Sequence, residues 1–139
     1  MPDLIHDLIQ QQIATLEPQT KLVIVHPGYL SQHIVIPHFW AAEVCCYLRV
    51  EPTDITRARL DTRLMEILKQ QANLQDLNNL ALLILDEGDL VADSELESFL
   101  TDIMSVIGGR ILFLSRRLPA FVRTNSEINR QTQIIPHDS

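Results

Sequence analysis

The residues from Leu82 to Leu90 read LLILDEGDL: four branched apolar side chains lead into Asp86 and Glu87, then Gly88 and Asp89. Carboxylates in that position can do chemistry. One can hold a divalent cation through its water shell, and a neighbour can polarise an attacking water. The same residues also suit a buried strand that surfaces into an acidic turn. A metal- or anion-dependent site built on Asp86, Glu87 and Asp89 and an inert acidic turn both stay open from the residues alone.

Other reactive side chains narrow the field. His33 and His38 are five apart, which does not align them on one helical face, and they match no familiar metal-ligand spacing. Ser31, Ser94 and Ser115 lack the G-x-S-x-G elbow of a nucleophilic serine. Cys45 and Cys46 are neighbours in VCCYLRV; on a strand their side chains point to opposite faces, which suits neither one metal ion nor an unstrained disulfide. They read as small buried groups in a reducing cytosol. Arg116-Arg117 follows the apolar run RILFL and is either an anion grip or a solvated strand end. No catalytic residue, metal ligand or cofactor is expected from these patterns.

The elements that must position these groups follow from hydrophobic periodicity. Leu4, Ile5, Leu8, Ile9 and Ile13 predict an amphipathic helix over about residues 2–15, ending before Pro18. Lys21–His26 (KLVIVH), Val44–Val50, Ala81–Glu87, Arg110–Arg117 and Thr132–Pro136 read as strands. A long helix follows the second strand, with Thr53 or Asp54 as its cap and Ile55, Leu60, Leu64, Ile67 and Leu68 as its apolar stripe. A second helix starts at an Asp93/Ser94 cap, carries Leu96, Phe99, Leu100, Ile103 and Met104, and ends at Gly108-Gly109. The SQHIVIPHFWAAE segment is ambiguous around Pro37, with Phe39 and Trp40 as core or interface anchors, and the region around Pro119 reads as a turn. Strands that are continuously apolar and alternate with helices predict an α/β domain, a three-layer sandwich over a mostly parallel sheet.

With 139 residues, 46% hydrophobic and 21% charged, the chain has the length and composition of one folded domain, 1–139. A formal charge of −7 disfavours a grip on nucleic acid or anionic membranes and suits a protein partner or self-association. The first residues carry no secretion signal, and no apolar run approaches the roughly 20 residues of a bilayer span, so a cytoplasmic location is expected.

The order of segments from about Lys21 to Pro136 resembles the nucleotide-binding domains of the STAND class, the signal-transduction ATPases at the front of many bacterial transcriptional activators. The resemblance is carried by ILDEGDL, which has the Walker B form, and by FLSRRLP, which looks like the sensor segment with Ser115, Arg116 and Arg117. It implies a five-stranded sheet in the order 5-1-4-3-2. The P-loop position departs from the family: where a glycine, a lysine and a hydroxyl residue belong, Gly28-Tyr29 is followed by Leu30, Ser31 and Gln32. That removes the backbone cradle, the charge and the magnesium ligand together, and no Gly-Lys-Ser/Thr occurs elsewhere. The expectation is a degenerate Walker A, a Walker B-like relic at Asp86 and Glu87, no bound nucleotide, and a non-catalytic regulatory role. If the acids are structural, strand-end backbone N–H groups, the Ser115 hydroxyl, or the guanidinium groups of Arg116 or Arg117 should hold them. A receiver-like phospho-acceptor is a weaker alternative, lacking an acidic pair after the first strand.

Overall fold

The computed structural model describes residues 16–25 and 45–135. The expected N-terminal helix, the P-loop position Gly28–Gln32, and His33, His38, Phe39 and Trp40 lie outside them. The strands are β1 (Leu22–Val25), β2 (Cys45–Arg49), β3 (Leu82–Asp86), β4 (Arg110–Phe113) and β5 (Thr132–Ile135). They form one all-parallel sheet in the order β2-β3-β4-β1-β5, the order that the resemblance implies. β4 lies between β1 and β3, pairing Leu22 with Ile111 and Leu83 with Ile111 from its two sides.

Burial explains why the inner strands lack polar alternation. Every residue of β1 and β3 is buried, as both faces of a parallel sheet require. Leu22, Ile24, Leu83, Leu85, Ile111 and Phe113 are buried on one face, and Val23, Val25, Ile84, Leu112 and Leu114 on the other. The domain is thus an α/β three-layer sandwich. β2, at an edge, alternates half-buried and buried residues instead. Its adjacent cysteines separate as expected, Cys46 to the face of Leu22 and Leu83 and Cys45 to the opposite one.

α1 (Arg57–Ala72) buries Leu60, Leu64, Ile67 and Leu68 against the sheet. Its cap is Thr56, whose hydroxyl accepts from the Arg59 N–H at 3.3 Å, rather than Thr53 or Asp54. The reason is that Asp54 is engaged earlier, closing the Glu51–Asp54 turn, and Ile55 therefore precedes the helix and is 48% exposed instead of lying on its stripe. The helix stops at Asn73 in a left-handed conformation (φ 53°), which asparagine tolerates, and the Leu74 N–H returns to the Leu68 carbonyl at 3.0 Å.

α2 (Asp93–Val106) buries the five apolar residues expected of it. Asp93 is its first residue rather than its cap, and Ala92 precedes it with no side-chain cap. Arg57 joins the two helices, reaching Asp61 at 2.9 Å, Asp102 at 2.7 Å and Ser98 at 2.7 Å while lying over the Phe99 ring. Gly109 begins the return into β4 so close to β3 that a Cβ there would sit 1.7 Å from the Ala81 carbonyl oxygen. β4 ends at Phe113 rather than Arg117, and the region around Pro119 folds into two short helices, α3 (Phe121–Thr124) and α4 (Ser126–Arg130). Phe121, Val122 and Ile128 carry them into the core, a pattern too short to display helical periodicity.

Candidate functional site

In a parallel sheet the chemistry collects where the strands end at their carboxyl side. At that rim the main chain of β3 passes from Asp86 to Glu87 and then into a single 3₁₀ turn, Gly88–Leu90. Glu87 takes a left-handed conformation, φ 58° and ψ 37°, which is uncommon for a residue with a side chain and costs of order 1 kcal/mol. The turn is anchored on both sides. The Glu87 N–H donates to the Asp86 carboxylate at 2.8 Å, and the Gly88 N–H to the Leu114 carbonyl at 3.2 Å. Gly88 is required there because a Cβ would lie 2.1 Å from the Phe113 ring.

Asp86 is 3% exposed. Its carboxylate accepts a hydrogen bond from the Tyr47 hydroxyl of β2. The register makes this contact: Arg49 stands opposite Asp86, so Tyr47 is its diagonal neighbour, within reach of a long aromatic side chain. Burial and the bond to Asp86 hold the Tyr47 phenol well above its ordinary pKa, so it stays a donor at neutral pH. Glu87 meets Arg49 at 3.5 Å, with the arginine side chain 64% exposed, a contact worth little.

Of the expected holders, a backbone N–H, that of Glu87, does meet Asp86 at 2.8 Å, whereas the arginines of the sensor-like segment pair with other groups. Arg117 pairs with Asp93 at 2.8 Å, depressing the Asp93 pKa and raising its own. Arg116 offers its backbone N–H to Asp89 at 3.4 Å. Ser115, buried, donates to the Arg117 carbonyl at 2.6 Å and accepts the Arg117 N–H at 3.2 Å, closing the turn after β4. The sensor-like segment therefore shares the rim with Asp86 and Glu87, but its arginines tie down the start of α2 and the Asp89 turn. The contacts missed in the sequence are those from β2, and the signal for them was the register that sets Arg49 beside Asp86.

A second buried acid, Asp54, occupies the neighbouring strand exit and is 1% exposed. It accepts the Glu51 N–H at 3.1 Å and pairs with the Arg63 guanidinium from α1. The lysine that precedes β1 lies far from the rim. Lys21 is at the opposite end of the sheet, donating to the Ile107 carbonyl at 3.0 Å and so capping the negative end of α2. Burial pushes the Cys45 thiol up to about 11 and raises Cys46 as well, leaving both protonated and unreactive at neutral pH. Among the described residues no cluster of three or more His, Cys, Asp or Glu could hold a metal ion, and no helix is long and apolar enough to cross a membrane. No protein-family model matches the chain, and no curated protein matches it.

Proposed function

We propose that the chain is a non-catalytic regulatory or protein-interaction domain with the architecture of a P-loop NTPase and without its nucleotide chemistry. The observation that carries this reading is the Tyr47 hydroxyl on the Asp86 carboxylate. The acid that a Walker B site would offer to hydrated magnesium is engaged inside the fold. The sequence at Leu30–Gln32 supports the same view, since it lacks the glycine and lysine of a phosphate cradle. Lys21 is committed to α2 at the far rim and does not substitute for that lysine.

The resemblance to STAND-class domains points to the front part of a bacterial transcriptional regulator in the cytoplasm. The charge of −7 favours a protein partner or self-association over nucleic acid or an anionic membrane. Titration with a fluorescent ATP analogue and magnesium tests the reading, with no saturable binding expected up to about millimolar nucleotide, the weak end of useful affinity. Micromolar binding that Asp86→Asn abolishes overturns it.

One observation favours a second reading, a metal- or anion-dependent site using Asp86, Glu87 and Asp89. Glu87 keeps a carboxylate in a left-handed backbone position where glycine or asparagine would relax, and strain of that kind collects at functional sites. Thermal unfolding with and without manganese separates the two: a metal-dependent rise in melting temperature lost in Glu87→Gln supports the second.

A further inference from the structure

The two edges of the sheet are finished differently. On the β2 side, Gln71 of α1 satisfies both peptide groups of Tyr47. Its carboxamide oxygen accepts the Tyr47 N–H at 2.8 Å, and its amide donates to the Tyr47 carbonyl at 3.0 Å. Arg63 reaches the Arg49 carbonyl on the same edge at 3.4 Å. α1 thereby supplies with side chains what a further strand would supply with its backbone, and the edge is closed to pairing.

β5 has no such cover among the described residues. The Leu22 N–H donates to the Gln131 carbonyl at 3.0 Å, which sets the parallel ladder. Gln133 and Ile135 then turn their peptide groups toward β1, and Thr132 and Ile134 turn theirs outward. No hydrogen bond from a described residue meets the outward peptide groups of Thr132 and Ile134, and both residues are half-buried rather than covered. Thr132, Gln133 and Ile134 line an open cleft of about 510 Å³. Among the described residues that line it, Arg123 and Arg130 are the cations and Glu17 the acid, on a chain of charge −7. Among the described residues Arg130 pairs with Glu127 at 2.6 Å, both side chains about two-thirds exposed, a contact that exchanges readily.

We infer that the outer edge of β5 is a docking site for an extended, acidic segment of a partner protein, added to the sheet as a further parallel or antiparallel strand. The partner's backbone bonds to Thr132 and Ile134, and its carboxylates meet Arg123 and Arg130 across the cleft. Strand addition of this type draws affinity from main-chain hydrogen bonds and selectivity from the flanking side chains. The inference deepens the interaction-domain reading and rests on it.

The test uses fluorescein-labelled Glu-Val-Glu-Val-Glu-Val, its Lys-Val counterpart and an N-methylated acidic version, titrated by fluorescence anisotropy. Sedimentation velocity of the chain alone runs in parallel. The acidic peptide is expected to bind at least about tenfold more tightly than either control, a difference of one decade in Kd. It should slow hydrogen exchange at the Thr132 and Ile134 amides. The double variant Arg123→Glu/Arg130→Glu, at two exposed positions, should weaken binding by a similar factor while keeping the parent melting temperature. Equal binding of the lysine or N-methylated peptide overturns the inference, as does no binding of any. Self-association that protects the Thr132 and Ile134 amides also overturns it, by giving the edge to a second copy. Any of these results leaves the interaction-domain reading standing so long as nucleotide fails to bind; saturable nucleotide binding defeats that reading whatever β5 does.

Discussion

Two adjacent strands lead to a buried aspartate, one in the turn that follows and one at the strand's last residue, and the two exits are built in opposite ways. After β2, Asp54 meets a guanidinium, that of Arg63, and folds back on the Glu51 N–H. After β3, Asp86 meets a phenol, that of Tyr47, and the chain continues through a left-handed glutamate. The first exit is compensated in charge with backbone angles outside the left-handed region. The second combines a neutral donor with stored backbone strain. From sequence, DEGD draws the eye as a place for chemistry and EPTD as the cap of a helix; in the fold, the acid read as a cap meets a charged partner instead. What a carboxylate does at a strand end depends on which neighbour the sheet order delivers to it.

The largest expected effect breaks the stronger exit. Asp54→Ala removes a buried acid and leaves Arg63, whose side chain is 24% exposed, without its close partner. Removing one member of a buried pair costs about 3–5 kcal/mol, and the partial exposure of Arg63 places this case at the low end. Urea unfolding monitored by circular dichroism reads it out. A loss below about 1 kcal/mol would mean that Asp54 only decorates the turn.

Next in size is the Tyr47–Asp86 bond. Asp86→Ala should cost about 1.5–3 kcal/mol, the usual range for a hydrogen bond to a charged group, and Tyr47→Phe somewhat less. The double variant should lose less than the sum, because each single change already removes the shared contact. Strict additivity in this cycle would separate the two residues. An Asp86→Ala variant as stable as the parent would favour a carboxylate kept for chemistry rather than for stability.

These contrasts show what was legible in the residues. The strands and the helix faces were readable because LVIV, LLILD and RILF are almost continuously apolar and the two long helices carry a clear stripe, whereas the strand order was implied by the resemblance and not by the runs. Side-chain partners at the rim were not. Arg116 and Arg117 lie next to the acids along the sheet, and the sequence offers no means of knowing that Arg117 turns toward Asp93 instead. The edge closure by Gln71 was equally hidden, since a glutamine late in a helix looks like any solvated polar residue. Short helices with one or two buried residues, as at Phe121–Thr124, lack the length for periodicity to declare itself.

A smaller effect isolates the strain at the second exit. Glu87→Gly removes the left-handed penalty of about 1 kcal/mol and adds a comparable entropy to the unfolded chain, so stability should stay within about 0.5 kcal/mol of the parent. Glu87→Val has no such relief and adds a β-branched side chain to the same angles, so it should unfold at a lower temperature than the glycine variant. If glycine and valine behave alike in differential scanning calorimetry, the turn relaxes freely and strain plays no part in the difference between the two exits.

The smallest effect concerns pH, and it tests whether the sensor-like arginine serves the fold at the start of α2. Arg117 holds the Asp93 carboxyl below its ordinary value near 3.8. A carboxyl with a depressed folded-state pKa contributes stability that is fully present above its unfolded pKa. That contribution fades as pH falls through 3.8 and is gone below the folded-state value. Asp93 also sits at the positive end of α2, which favours the same charged form. Its side chain is 38% exposed and that of Arg117 50%, so solvent screening keeps the effect small, and salt should shrink it further. Other carboxylates titrate over the same range, which makes the difference between parent and Asp93→Asn the useful quantity. Melting temperatures of the two should differ from neutral pH down to about 5 and draw together as pH falls through and below the ordinary range of an aspartate, about 3.9. Arg117→Gln should show the same convergence, because either change removes the pair. Curves that run parallel throughout would mean that Arg117 does not depend on Asp93, and would free it to act on Asp86, Glu87 or an anion at the rim.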